Sequence, residues 1–135
     1  MAFDITPYVD MSPKKVRELI RKGVIDFPTA GMCRGYAQAN LVILPYEEAY
    51  DFLLFAQRNP TSCPLLEVSD KGSRTLRYIA EGTDIARDIP KYRIYEHGKL
   101  VREVTDVSDI WREDFVSFLI GCSFSFEAAL LEAGV

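Results

Sequence analysis

The chain has 135 residues, 48% of them hydrophobic and 27% charged, with 16 basic and 20 acidic side chains and a net charge of −4. That composition fits one folded domain with a sizeable core and excludes a disordered chain. The acidic balance disfavours a nucleic-acid partner, which calls for a basic patch, and no apolar run reaches the roughly 18 residues of a membrane span.

Ser12 and Pro13 open the first predicted helix, the serine as cap and the proline at the first helical position. Val16, Leu19 and Ile20 fall on one face, and Gly23 suits a left-handed stop. A loop over 26–35 follows, punctuated by Pro28, Gly31 and Gly35. Leu41-Val42-Ile43-Leu44 then reads as a buried strand. Pro45 begins the next helix, with Glu47 and Glu48 in its first turn, where the helix dipole favours negative charge. Its apolar residues Tyr50, Phe52, Leu53, Leu54 and Phe55 lie on more than one face, so deep burial is expected. Asn59-Pro60 ends it.

The middle of the chain, about 65–104, reads as a β-rich subdomain. Pro64 to Val68 is a strand candidate and Asp70-Lys71-Gly72 a turn. Tyr92 to Glu96 and Lys99 to Val104 form the clearest hairpin, with Gly98 supplying the positive φ that a two-residue turn needs. A helix is predicted over 109–120 from the spacing of Trp111, Phe115, Phe118 and Leu119, with Gly121 breaking it. A last helix is predicted over 125–133. No repeat or Gly/Ser linker divides the chain. The expected fold is α/β in the mixed α+β sense, a layered αβα-type domain with a smaller hairpin-containing α+β part.

Cys33, Cys63 and Cys122 are widely spaced and contain no CxxC pair, which makes a zinc site improbable and reduced thiols the simplest reading. His97 is the only histidine. That excludes a multi-histidine metal centre and weakens any Ser-His or Cys-His scheme. The N-terminus, MAFDITPYVD, lacks a basic segment before an apolar one, so the expectation is a cytoplasmic chain without a secretory signal.

Three stretches could carry chemistry. Over 120–127, a glycine is followed by Cys122, Ser123, Phe124, Ser125, Phe126 and Glu127. Free N–H groups at a helix start there would hold an anion beside Ser123 or Ser125, and would lower the pKa of a thiol at Cys122. A plain helix junction with serine caps accounts for the same residues. Over 28–40, Thr29, Tyr36, Gln38 and Asn40 stand in a glycine-containing loop leading into a strand. Gln38 and Asn40 alternate with alanines and share one side of an extended segment. They would either contact a ligand carboxylate or fix the loop. Arg58 would either clamp a carboxylate with its planar fork or simply complement a helix C-terminus. His97 should be solvated, and Asp84 and Asp88 should organise turns.

Several blocks occur together in order. They are Pro28-Thr29-Ala30-Gly31, Gln38-Ala39-Asn40-Leu41, Asp51 to Phe55 with Gln57-Arg58-Asn59-Pro60, Cys63 to Val68, Trp111-Arg112 and Ile120 to Glu127. Through them the chain resembles the hydro-lyase family of bacterial proteins, to which a domain of the mitochondrial D-glutamate cyclase is related. Members of that family continue for about as many residues again, so the whole chain, 1–135, resembles an N-terminal half. The resemblance implies a layered αβα fold and a carbon–oxygen lyase acting on a small carboxylated molecule. For the cyclase relative the implied reaction is closure of D-glutamate to 5-oxo-D-proline with loss of water. Such a reaction needs a carboxylate anchor, a base for the ammonium, oxyanion donors and an acid for the leaving oxygen.

On that basis Cys122, Ser123, Ser125 and Glu127 are the expected catalytic group, with Gln38, Asn40 and Arg58 binding substrate. No metal or organic cofactor is implied, and nucleic acid and membrane are not expected partners. A homo-oligomer is expected if an apolar face is left uncovered. The alternative is a non-catalytic carboxylate-binding or assembly module.

Overall fold

The computed structural model describes residues 4–121. Helix α1 spans Pro13–Arg21, with the Ser12 hydroxyl accepting from the Lys15 N–H at 3.2 Å. It stops where Gly23, at φ +80°, donates its N–H to the Ile20 carbonyl. Val16 and Ile20 on its inner face pack with Ile25, Met32 and Cys33 from the loop that follows. Helix and loop therefore share one small apolar cluster.

Strand β1 is Ala39–Pro45, helix α2 Tyr46–Arg58, strand β2 Leu65–Val68, the hairpin β3 Tyr92–Glu96 and β4 Lys99–Val104, and strand β5 Phe115–Gly121. The larger sheet has the order β1-β5-β2 and both of its pairings are antiparallel. In that register Leu41 faces Leu119, and Ile43 faces Ser117. Alternation splits the side chains cleanly between the two faces. Val42, Leu44, Val116 and Phe118 meet Ala49, Phe52 and Leu53 of α2. The Phe52 and Phe118 rings pack edge to face at 4.9 Å. Leu41 and Ile43, on the opposite face, join Ala86, Tyr92, Ile94, Val107 and Trp111. The sheet thus lies between α2 and a layer built from the hairpin and the loops beside it, and the fold is mixed α+β as expected.

Two expectations are corrected. Residues 109–120 are not a helix: a single 3-10 turn, Ser108–Ile110, is followed by β5. The apolar positions fit a helical stripe, but Phe115 to Ile120 is also a short run rich in β-favouring residues, and pairing on both edges makes it the central strand. The second correction concerns α2, which is not deeply buried. Only Ala49 and Ala56 are fully covered, while Tyr46, Tyr50 and Phe55 are exposed. One face of a helix suffices to cover a three-stranded sheet, and aromatic residues on the other face stay in water. The helix predicted over 125–133 lies outside the described residues.

The hairpin forms as predicted. His97 and Gly98 both have positive φ, +50° and +78°, as a type I′ turn requires, and His97 is exposed. Gly72 serves a different need. At φ +80° it donates to the Phe115 carbonyl and accepts from the Trp111 indole N–H, and an added Cβ would meet the Glu113 carbonyl at 2.5 Å.

Buried carboxylates hold the long segment between β2 and β3. Glu67 accepts from the N–H groups of Arg77, Tyr78 and Ile79 at 2.6, 3.2 and 2.8 Å. Asp84 accepts two bonds from Arg74 and one from Arg87, and Asp88 takes a bidentate pair from Arg21 of α1 at 2.8 and 2.7 Å. Asp84 and Asp88 also accept the N–H groups of Ala86 and Asp84, which is the turn-forming role expected of them. Burial pushes the Asp84 carboxyl up, but the hydrogen bonds from Arg74, Arg87 and Ala86 outweigh it and hold the group below the ordinary carboxylate value.

Ser117 sits fully buried at the centre of β5, and its hydroxyl has no partner among the described residues. Its backbone is well held, donating to Ser69 Oγ at 2.9 Å and accepting from the Ser69 N–H at 2.8 Å. Ser117→Ala removes a buried unpaired hydroxyl, so stability should stay unchanged or rise by up to about 1 kcal/mol. A thermal melt of the variant checks this, and a clear fall in Tm would show that the hydroxyl holds something.

Candidate substrate groove

A groove of about 1150 Å³ runs between the α1 cluster and the sheet. Strand β1 lines it along its whole length, β3 forms a second border, and Val16, Arg17 and Ile20 of α1 close the far side. The loop before β1 contributes Thr29, Cys33, Tyr36 and Gln38, and β1 itself Asn40. The groove is therefore walled largely by apolar residues, with polar and charged side chains contributed by the loop, α1 and the hairpin, a mixture that suits a small-molecule site.

Five cations border it: Arg17, Lys91, Arg93, Arg102 and Arg112. Four of these are engaged. Lys91 and Arg93 pair with Glu103, Arg102 with Asp109, and Arg112 with Asp114. Arg17 makes no ion pair among the described residues, and its guanidinium donates only to the Glu81 carbonyl, at 3.4 Å. Its charge reaches Cys33. Burial pushes the Cys33 thiol up, and Arg17 offsets this only in part, so the group is held as a thiol rather than as a nucleophilic thiolate.

Gln38 and Asn40, predicted to share one side of the chain, both line the groove. They differ in what they do. The Gln38 amide accepts from Thr29 Oγ1 at 3.0 Å and donates to the carbonyls of Thr29 and Met32 at 3.3 and 3.1 Å. It fixes the loop, the second of the two roles the sequence left open. Asn40 is exposed on β1, beside that fixed loop. Arg58, in the last turn of α2, is exposed and is not among the groove's lining residues. Cys122, Ser123, Ser125 and Glu127 lie outside the described residues. Arg17 went unnoticed in the sequence because Lys14, Lys15, Glu18, Arg21 and Lys22 surround it, and such a run reads as a solvated helix face. Among the described residues no group of three or more His, Cys, Asp or Glu is placed to hold a metal ion, and no helix is long and apolar enough to cross a membrane.

No protein-family model matches the chain. Individual proteins do. One from Clostridium beijerinckii is 72% identical over 128 residues, which is 95% of this chain and 49% of that protein. One from Psychrobacter arcticus is 61% identical over 93% of this chain and 48% of its own length, and one from Stutzerimonas stutzeri 59% identical over 98% and 50%. All three are named "Putative hydro-lyase". The chain is a homologue of these proteins. It spans about half the length of the curated relatives it matches, and identity at this level carries the same fold over the shared half. Their name specifies no substrate.

Proposed function

We propose that the protein is a hydro-lyase acting on a small carboxylated molecule held in the groove, with closure of D-glutamate to 5-oxo-D-proline and water as the specific reaction. The observation that carries the reading is Arg17, a groove-lining cation with no ion pair among the described residues, beside a fixed polar loop. A planar guanidinium on a largely apolar groove suits an α-carboxylate, and Asn40 offers an amide on the same groove. Ring closure then proceeds by attack of the free amine on the side-chain carboxyl carbon. The C–N bond forms, a tetrahedral intermediate carries the oxyanion, and the C–O bond breaks as one carboxyl oxygen leaves as water, its two protons balancing the two that the ammonium nitrogen gives up.

The roles assigned from sequence to the following stretch belong to the same proposal, with Cys122, Ser123 and Ser125 as anion or oxyanion donors and Glu127 as acid or base. What supports grouping them with the groove is register. Gly121, which precedes Cys122 in the chain, lies opposite Ala39, between Gln38 and Asn40.

Arg17 provides the test. A charge-assisted hydrogen bond contributes about 1.5–3 kcal/mol, so Arg17→Ala should weaken D-glutamate binding by about 10–100-fold, and Arg17→Lys by less. The fold should persist, because Arg17 has no ion pair to lose. Calorimetric titration with D-glutamate, alongside a circular dichroism spectrum, measures both. Unchanged affinity in Arg17→Ala would remove the anchor from this reading.

A further inference from the structure

The larger sheet has a feature that catalysis leaves unexplained. Strand β1 is at its edge, and no backbone hydrogen bond among the described residues reaches the outer side of β1. Seven residues long, β1 carries no charged side chain: its sequence is Ala39-Asn40-Leu41-Val42-Ile43-Leu44-Pro45. Edge strands that face water are normally short, bulged or guarded by charge, because a free row of N–H and C=O groups recruits other strands. Apart from a terminal proline, β1 has none of these guards. A continuous apolar run is the signature of a strand covered on both faces, and although α2 and the hairpin layer pack on the two faces of β1, Leu41, Val42, Ile43 and Leu44 are all only half-buried.

The groove borders this edge along its full length, and β3, an edge strand of the hairpin sheet, borders it too. Two unpaired strand edges therefore line one mostly apolar trough. An extended segment adding to the β1 edge would wall the substrate groove on that side, with main-chain bonds supplying the affinity.

We infer that the free edge of β1 is the docking site for an extended segment from the other half of the hydro-lyase chain, the half that the relatives carry and this stretch does not match. Three observations converge on that occupant. The relatives are about twice as long as the stretch they share with this chain. The edge is apolar and unguarded, as a permanent intramolecular contact allows and a lasting water-facing surface does not. The trough is bordered by two strand edges rather than by one helix-shaped face.

Residue-resolved hydrogen exchange on the whole Clostridium beijerinckii relative tests this directly. In a free edge strand, alternate amides point outward and exchange quickly, while those bonded to β5 are slow. A docked strand makes successive amides slow. The expected result is consecutive protection through the positions matching Asn40 to Leu44, each slowed by on the order of 100-fold or more over an unstructured chain. A fast–slow alternation there in the whole relative would overturn the inference.

The same measurement on this 135-residue chain excludes other occupants, with β5 as the internal control because both its edges are paired. Alternation in this chain against continuous protection in the relative supports the inference. Continuous protection that grows with concentration would assign the edge to a second copy, and continuous protection at every concentration to the chain's own residues. Either would overturn it.

Discussion

Phe118→Ala should destabilise the protein by about 3–5 kcal/mol, the usual cost of emptying a buried aromatic site. Phe118 is 1% exposed at the middle of the central strand. Its ring packs edge to face on Phe52 and reaches the apolar residues of β1 and α2. Both flanking strands fix the β5 backbone, so the sheet can collapse little around the void. A domain of this size has only about 5–15 kcal/mol of net stability. Urea unfolding of the variant should therefore show a large fall in midpoint with little change in slope. Phe118→Leu, which keeps most of the volume, should cost much less. A loss under about 1 kcal/mol for the alanine variant would mean that α2 does not close on this face.

The second large effect is expected at Asp88. Its carboxylate is fully covered, holds Arg21 through two hydrogen bonds and also accepts the Asp84 N–H. Asp88→Ala leaves that N–H and a guanidinium without their partner. Breaking a buried ion pair costs about 3–5 kcal/mol, and the partial exposure of Arg21 lowers the expected loss to about 2–4 kcal/mol. Arg21→Met should cost as much or more, because it leaves the fully covered Asp88 carboxylate without its cation. A loss under about 1 kcal/mol in both variants would show that packing, not charge pairing, ties α1 to the loop.

The neighbouring Asp84 gives this network a pH signature. Its folded-state pKa is lowered, so at low pH the unfolded chain takes up a proton before the folded one does. The stability it contributes is present in full above the ordinary carboxylate value of 3.8 and is lost as pH falls through the lower folded value. Urea midpoints should decline below about pH 4, and Asp84→Asn should flatten that limb while lowering stability at pH 7. An acid limb unchanged in the variant would place the titrating group elsewhere.

Local chemistry made much of the fold legible in the sequence. Ser12-Pro13 and Gly23 bracket α1, Asn59 ends α2, and His97-Gly98 turns the hairpin, each because a few adjacent residues decide the backbone. Long-range pairing decided what remained. Trp111, Phe115, Phe118 and Leu119 have helical spacing, and nothing local reveals that β1 and β2, some 50 to 80 residues earlier, sit on either side of β5. Tyr46, Tyr50 and Phe55 are apolar in composition yet exposed, because only one face of α2 has a sheet to cover. At the groove, Gln38 and Asn40, singled out from their alternation with alanines, both lie on the lining. That Gln38 is spent on the loop, and that Arg17 rather than Arg58 lines the groove, depends on folding distant segments together.

Proton NMR of D-glutamate incubated with this chain is the most direct test of the hydro-lyase reading. The whole Clostridium beijerinckii relative runs beside it, with L-glutamate and heat-inactivated protein as controls. The account predicts resonances of 5-oxo-D-proline above the control and none from L-glutamate. It also predicts a marked drop in Arg17→Ala at sub-saturating substrate. D-glutamate left unchanged by both this chain and the relative would contradict it.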